Sequence, residues 1–147
     1  MSGVRKNMNA IRLPRAMVNR LLHLAQKSPE EEICGLISRD RHDFKTCYPV
    51  ANVAGDKKHR FALDPRGQIE AMRTMRGHGE ELAAIYHSHP DAPPLPSPTD
   101  VAQHEYPDVL YLIISLATQG VLEMRGFYIR GREIEEVAIG LQEESAA

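Results

Sequence analysis

Residues 82–100 read LAAIYHSHPDAPPLPSPTD and contain two histidines, a proline-rich stretch, and then a serine and an aspartate. The apolar run before the histidines is typical of a buried strand, and Pro90 predicts that this strand ends at His89. Because residues two apart on a strand point to the same face, His87 and His89 can reach a single metal ion. We therefore expect a strand that ends in a pair of candidate metal ligands.

The segment that follows the prolines fits the start of a short helix over residues 98–106. Ser97 can cap this helix, Pro98 suits its first position, and Asp100 lies where a carboxylate favours the helix dipole. Asp100 is also a candidate third metal ligand, and two histidines with one carboxylate leave a fourth position open, as in catalytic zinc sites. An isolated H-x-H pair or an isolated helix cap is more often structural, so the metal hypothesis depends on their joint occurrence.

The rest of the chain alternates between helix and strand patterns. Apolar residues at helical spacing predict a helix over 13–28, and Asp64 followed by Pro65 predicts a second helix that ends near Gly77. In that second helix, Ile69, Met72 and Met75 are expected to face the core. Strands are predicted over 30–40, 45–53, 60–63, 82–90 and 108–117, the last as the central strand, with a hairpin over 122–141 that turns at Gly131.

This order of elements predicts an α/β or α+β fold with a mixed, mostly antiparallel sheet flanked by helices. The length of 147 residues suits one domain, which we place over residues 10–141, with a flexible N-terminus over 1–9 and a frayed tail over 142–147. The two cysteines, Cys34 and Cys47, are expected to be free thiols.

Charge and hydropathy exclude several classes of function. The net charge of -2 does not suggest a surface for nucleic acid. No run of 18 or more apolar residues predicts a membrane span, and the N-terminal residues lack the apolar core of a secretory signal. We therefore expect a cytoplasmic protein without a nucleic-acid or membrane partner, and the oligomeric state is left open.

The joint motif is similar to the signature of a known family of enzymes. HSHP at 87–90, followed six residues later by Ser97-x-x-Asp100, resembles the signature of the JAMM (MPN+/Mov34) zinc metallopeptidases. That signature also has an upstream glutamate in an E-x-(Cys/Met)-Gly context, which EICG at 32–35 matches. Over about residues 10–141 the chain resembles the small bacterial branch, which includes the peptidases that trim ubiquitin-like sulfur carrier proteins. The resemblance implies a cytidine-deaminase-like JAMM/MPN fold.

The resemblance also implies roles for five residues of this chain. His87, His89 and Asp100 would bind Zn²⁺. Glu32 would act as the general base, and Ser97 would stabilise the oxyanion. These assignments match the chemistry that each side chain offers, since imidazole and carboxylate are zinc ligands and a second carboxylate can move the proton of an attacking water.

Other acidic residues and histidines compete for these roles. Glu30 shares a strand face with Glu32, but Glu32 alone stands two residues before the Cys-Gly pair. Glu31 points away from that face. His104, four residues after Asp100, is interpreted as a surface or supporting histidine rather than as a ligand.

The function that the resemblance implies is hydrolysis of a peptide or isopeptide bond at the C-terminus of a small ubiquitin-like sulfur carrier protein. Such a reaction would release cysteine or a short extension after Gly-Gly, and a tail without side chains suits a narrow groove. JAMM chemistry on another protein substrate and a non-catalytic scaffold on the same fold are the alternatives. A zinc deaminase is disfavoured because the P-C-x-x-C motif of that class is missing from the sequence.

Overall fold

The computed structural model describes residues 4–117 and 121–142. Within these residues the chain forms one mixed sheet and three helices. In chain order the elements are β1 (Val4–Pro14), α1 (Arg15–Gln26), β2 (Cys34–Arg39), β3 (Phe44–Val50), α2 (Pro65–Gly77), β4 (Glu81–His89), α3 (Pro98–Gln103), β5 (Leu110–Ser115), β6 (Glu123–Arg130) and β7 (Glu133–Gln142).

The strands of the sheet follow the order β1-β7-β6-β5-β4-β2-β3. The β1–β7 and β4–β5 pairs are parallel, and the other four pairs are antiparallel. The predicted mixed, mostly antiparallel sheet is therefore confirmed. β5 lies at the centre with all six of its residues buried, as the apolar run over 108–117 indicated.

Each face of the sheet packs against one of the two longer helices. On one face, Met17 and Leu21 of α1 join a buried cluster with Leu112 of β5. On the other face, Ala71 and Met75 of α2 pack into a second buried cluster. The sheet is thus covered by helices on both sides, and no helix within the described residues is long and apolar enough to cross a membrane.

The predicted boundaries of α2 are confirmed, but one of its predicted core residues is wrong. The Asp64 side chain accepts a hydrogen bond from the Arg66 N–H, and the helix ends at Gly77. Met75 is buried and Met72 is half-buried, whereas Ile69 is 58% exposed. The buried side of the helix passes through Ala71 instead. Ile69 lies two residues before Ala71, about 200° around the helix, and therefore points away from the core.

The N-terminal strand differs from expectation. Residues 1–9 were expected to be flexible, but β1 begins at Val4 and pairs in parallel with β7. The pairing register shifts between Asn7 and Ile11, so the alternation of apolar residues that would reveal a strand is interrupted. Residues 1–3 and 143–147 lie outside the described residues, and so does the predicted frayed tail beyond Gln142.

Two further predictions have different outcomes. The hairpin over 122–141 is confirmed, since β6 and β7 are joined at Gly131, whose φ of 62° is the left-handed conformation that glycine adopts without strain. The strand over 60–63 is wrong, because that segment contributes only an isolated bridge between Leu63 and Asn52.

Candidate metal centre

The side chains of His87, His89 and Asp100 converge at the carboxyl end of β4. His87 Nε2 lies 3.1 Å from His89 Nε2 and 3.1 Å from Asp100 Oδ2, and His89 Nε2 lies 3.2 Å from the same carboxylate oxygen. The two histidine side chains are 1% and 3% exposed, and the aspartate side chain is 7% exposed. Three atoms that could bind metal therefore form a nearly equilateral buried triangle.

The two histidines share a face because β4 is extended up to His89. The next strand, β2, pairs antiparallel with β4, and Cys34 lies opposite His87. Pro90 then ends the strand, and the loop returns the chain to the same place through α3, which carries Asp100. The strand end and the short helix thus place the predicted ligands together, as the joint motif required.

The orientation of the His89 ring is set by a backbone carbonyl. His89 Nδ1 lies 2.8 Å from Pro93 O, and since a carbonyl only accepts, Nδ1 carries the proton in this contact. Neutral His89 therefore presents the lone pair of Nε2 to the centre of the triangle. The His87 ring is held differently, by stacking on Phe61 with ring centroids 4.4 Å apart.

The donor set fits a zinc ion. A tetrahedral zinc with bonds of about 2.0–2.1 Å has edges of about 3.3 Å between its ligand atoms. The edges between His87, His89 and Asp100 are 3.1–3.2 Å. A bare imidazole nitrogen and a carboxylate oxygen at this separation repel each other unless a proton or a cation lies between them, so the triangle suits a cation.

Asp100 is fixed by the capping box that the sequence predicted. The Ser97 N–H donates to Asp100 Oδ2 at 2.9 Å, and the Asp100 N–H donates to Ser97 Oγ at 3.0 Å. The same carboxylate oxygen therefore faces both histidines and the helix cap. Burial acts to raise the pKa of Asp100, but the neighbouring imidazoles of His87 and His89 and the hydrogen bond from the Ser97 N–H bring it well below its ordinary value.

Glu32 reaches the centre from the segment before β2, because the strand predicted over 30–40 begins only at Cys34. Glu32 is 4% exposed, and one of its carboxylate oxygens lies within 4.8 Å of the nearest nitrogens of His87 and His89. Oε1 has no hydrogen-bond partner among the described residues. Burial raises the pKa of Glu32 to about 8. A buried carboxylate next to the triangle, with one oxygen free of protein hydrogen bonds, is available to exchange a proton.

The structure separates Glu32 from its neighbours. Glu30 and Glu31 are exposed, whereas Glu32 is buried two residues before β2 begins. Glu32 can also be grouped with His87 and His89 as a possible ligand. Asp100 contacts both imidazoles, at 3.1 and 3.2 Å, whereas Glu32 Oε1 makes no hydrogen bond to either ring, so Asp100 forms the third corner of the triangle.

Two residues that hold Glu32 were not expected from the sequence. The Asn52 side-chain amide donates to Glu32 O at 3.0 Å, and the Glu32 N–H donates to Lys57 O at 2.7 Å. Asn52 also accepts from the N–H groups of Ala54 and Ala62, so one side chain organises the loop between β3 and α2. The only sign of this arrangement in the sequence is the segment ANVAGDKKHRF at 51–61, which has an asparagine near its start and a phenylalanine at its end.

Ser88 and Phe61 also support the site. The Ile33 N–H donates to Ser88 Oγ at 2.9 Å, and the Ser88 N–H donates to Ile33 O at 3.1 Å. These bonds extend the β2–β4 pairing up to the residue that follows Glu32. Phe61 covers the His87 ring, although its segment was predicted to be a strand.

Comparison with known proteins assigns the chain to a family. Residues 14–127 match the family described as prokaryotic homologs of the JAB domain. The chain belongs to this family. The resemblance to JAMM proteins inferred from the motif is thereby confirmed, and the JAB match includes Glu32, Ser97 and the three residues of the triangle.

Several curated relatives match most of the chain. A desampylase from Haloferax volcanii is 34% identical over 94 residues, which are 62% of this chain and 67% of that protein. A probable TtuB-protein conjugate cleaving protease from Thermus thermophilus is 33% identical over 118 residues, or 80% and 74% of the two chains. A CysO-cysteine peptidase from Mycobacterium tuberculosis is 25% identical over 129 residues, or 87% and 88%.

Solved structures confirm the fold. The solution structure of a Desulfitobacterium hafniense protein has a TM-score of 0.81 at 32% identity and covers 90% of this chain and 93% of that one. The crystal structure of a JAB1/MPN domain protein from Archaeoglobus fulgidus has a TM-score of 0.57 at 15% identity, with 91% and 98% covered. The predicted JAMM/MPN fold is therefore confirmed.

Proposed function

We propose that this protein is a zinc-dependent JAMM-type peptidase that cleaves the bond after the C-terminal Gly-Gly of a small ubiquitin-like sulfur carrier protein. The observation that carries the proposal is the buried triangle of His87, His89 and Asp100, with Glu32 Oε1 beside it and without a hydrogen-bond partner among the described residues. Two imidazoles and a carboxylate leave one tetrahedral position open, which is the arrangement of a catalytic rather than a structural zinc site.

Three residues would hold the metal. His87 and His89 would bind through Nε2, and Asp100 through its carboxylate. When bound, zinc acts as a Lewis acid that makes a water molecule more acidic and polarises a substrate carbonyl. The Pro93 carbonyl keeps His89 in the tautomer that binds metal, and the cap of α3 keeps the Asp100 carboxylate directed at the histidines.

Glu32 would act as general base and then as general acid. Its carboxylate takes a proton from the attacking water and passes it to the nitrogen that leaves the scissile bond. Two features of Glu32 suit this role: its side chain is buried, and its Oε1 has no hydrogen-bond partner among the described residues. Burial favours the protonated form, whereas a cation nearby favours the carboxylate, so a bound metal would bring the pKa down from its raised value.

Ser97 would stabilise the negative charge that develops on the substrate carbonyl oxygen. Its hydroxyl oxygen already accepts from the Asp100 N–H. Because that bond uses a lone pair, the hydroxyl proton is still available to donate to the substrate. The cap therefore orients Ser97 without consuming the group that the reaction needs.

The names of the relatives support the substrate class. They describe a desampylase, a protease that cleaves TtuB-protein conjugates, and a CysO-cysteine peptidase. We propose a substrate of the same kind, a small ubiquitin-like sulfur carrier whose extended tail carries cysteine or a short extension after Gly-Gly. Glycines have no side chains, so such a tail can approach the strand ends around Glu32 and His87 closely.

The proposal includes a cytoplasmic location. Cys34 and Cys47 are both free and buried in the structure. A reducing compartment keeps such thiols from oxidation.

The reaction is tested with purified protein loaded with zinc and a ubiquitin-like carrier protein that ends in Gly-Gly-Cys. Mass spectrometry should show loss of the single cysteine, and protein stripped of metal should leave the adduct intact. An intact adduct in the presence of stoichiometric zinc would contradict the sulfur-carrier proposal. Cleavage of a lysine-linked carrier conjugate in the same experiment, without cleavage of the cysteine adduct, would assign isopeptidase activity instead.

A further inference from the structure

A cavity of about 510 Å³ opens beside the metal centre, on the α2 side of the sheet. His87 and Asp100 form part of its wall, so a molecule in this cavity would lie next to the reacting bond. Its volume is in the range of pockets that bind small ligands. The cavity is therefore large compared with the space that a glycine tail needs.

The floor of the cavity is apolar. Ile85, Ile113 and Ile129 come from three strands and are at most 3% exposed. Phe61 closes one side through the same ring that stacks on His87. Burial of an apolar group of the ligand against this surface would stabilise the complex.

Several polar groups in the wall are engaged within the protein. The Gln68 side chain donates to Tyr106 Oη at 3.0 Å. Tyr111 Oη accepts from the N–H groups of Glu105 and Tyr106, at 3.3 and 3.2 Å. His104 Nδ1 contacts the carbonyl of the preceding helix turn. The polar groups of Gln68, Tyr106 and Tyr111 are therefore engaged within the wall, and the floor that remains for a ligand is apolar.

This inference rests on the proposed function. On the carrier side of the scissile bond, Gly-Gly offers no side chain that could fill the cavity. The side chain nearest to the scissile bond is therefore that of the released residue, and a cysteine side chain is small compared with 510 Å³. We infer that the cavity is a specificity pocket for a large apolar or aromatic side chain on the residue that is released after Gly-Gly.

The pocket is tested by varying the released residue. Carrier adducts that end in Gly-Gly-X, with X being alanine, cysteine, lysine, leucine or phenylalanine, are compared by kcat/KM with the zinc-loaded wild-type protein. Phenylalanine and leucine should be cleaved at least about 10-fold faster than alanine, since an apolar pocket typically distinguishes even one methylene by 10-fold or more. Equal rates for alanine and phenylalanine, or a preference for lysine, would overturn the assignment.

A substitution in the wall gives a second test. Ala102 is exposed on α3 and lines the cavity, so Ala102→Trp should fill part of it from the solvent side. The ratio of kcat/KM for phenylalanine over alanine should fall by about 10-fold or to unity. Ala16→Trp is the matched control, since Ala16 is exposed on α1, which packs on the other face of the sheet. It should leave the ratio unchanged.

The outcomes distinguish failure of the pocket assignment from failure of the proposed peptidase function. If no Gly-Gly-X adduct is cleaved, the proposed function fails. If all adducts are cleaved at the same rate, the peptidase stands and the pocket assignment fails. An unaltered ratio in Ala102→Trp would also contradict the assignment, provided that zinc content and thermal unfolding match those of the wild type. If that variant does not fold, the wild-type series still decides.

Discussion

His87 and His89 are held by different means although both face the same point. The ring of His89 is fixed by a hydrogen bond to Pro93 O, whereas the ring of His87 is fixed by stacking on Phe61. Burial lowers the pKa of His87, which favours the neutral imidazole that metals bind. Both rings are thus oriented by contacts within the protein.

Replacing one imidazole should remove the metal. His89→Ala deletes one of the three proposed ligand atoms. Loss of a hydrogen bond that merely supports a ligand lowers metal affinity by about 10–100-fold, so zinc affinity should fall further than that in this variant. Elemental analysis of the dialysed protein measures this. His23→Ala, on the exposed side of α1, is the control and should retain zinc. Unchanged zinc content in His89→Ala would refute the ligand assignment.

The two roles of Ser97, as helix cap and as oxyanion donor, can be separated by two substitutions. Ser97→Ala should cost about 1 kcal/mol of stability, and Ser97→Gly only a few tenths, because glycine is tolerated at the N-cap. Both remove the hydroxyl, so both should lower kcat by about 10²–10³-fold. Denaturant unfolding and steady-state kinetics measure the two effects. If kcat followed stability across the pair, Ser97 would be a cap alone.

At the scale of elements, β2 and β4 decide where Glu32 lies relative to the histidines. Their antiparallel register places Cys34 opposite His87, and the Ile33–Ser88 bonds continue it toward Glu32. Close packing explains why the third residue after Glu32 in the EICG motif is a glycine. A Cβ on Gly35 would lie 2.4 Å from Tyr86 Oη, so the tyrosine ring of β4 occupies the space above it.

Gly35→Ala should therefore destabilise the protein. The methyl group would force the buried Tyr86 ring or the β2 backbone to move, at a cost of about 1–3 kcal/mol. Denaturant unfolding measures this cost. Gly77→Ala at the end of α2 is the control, because nothing lies within 4 Å of its added Cβ. It should keep or raise stability, and equal loss in both variants would contradict the close packing at Gly35.

Much of this architecture could be predicted because the signals are local. The strand that ends at Pro90, the capped helix at Asp64 and the turn at Gly131 each depend on residues adjacent in the sequence. β1 could not be predicted because its register shift interrupts the apolar alternation. Asn52 and Phe61 could not be found either, since they act on Glu32 and His87 across a long loop and share no spacing with them.

At the scale of the molecule, the metal centre joins two separate parts of the chain. His87 and His89 lie on β4, Asp100 lies on α3, and a proline-rich loop connects them. A ligand that binds only the folded state stabilises it by mass action. Because folding brings these side chains together, we expect zinc binding to be coupled to folding.

Removal of zinc should therefore lower the melting temperature. At a free zinc concentration 100-fold above Kd, the stabilisation is about 2.7 kcal/mol. For a protein of this size that corresponds to a shift in Tm of roughly 5–10 °C. Differential scanning calorimetry with and without a chelator measures the shift, and His89→Ala should show none. An identical Tm in both conditions for the wild type would contradict a metal site in the folded core.

The measurement that tests the catalytic site most directly compares Glu32→Gln with the wild type, with zinc content and turnover of a carrier–Gly-Gly–Cys adduct determined on the same samples. Glutamine fills the same space but cannot take up the proton of the attacking water. The variant and the wild type should each bind one zinc per chain, and the variant should cleave at least about 100-fold more slowly. A variant that cleaves at the wild-type rate, or one that has lost its zinc, would contradict Glu32 as the base beside a site formed by His87, His89 and Asp100.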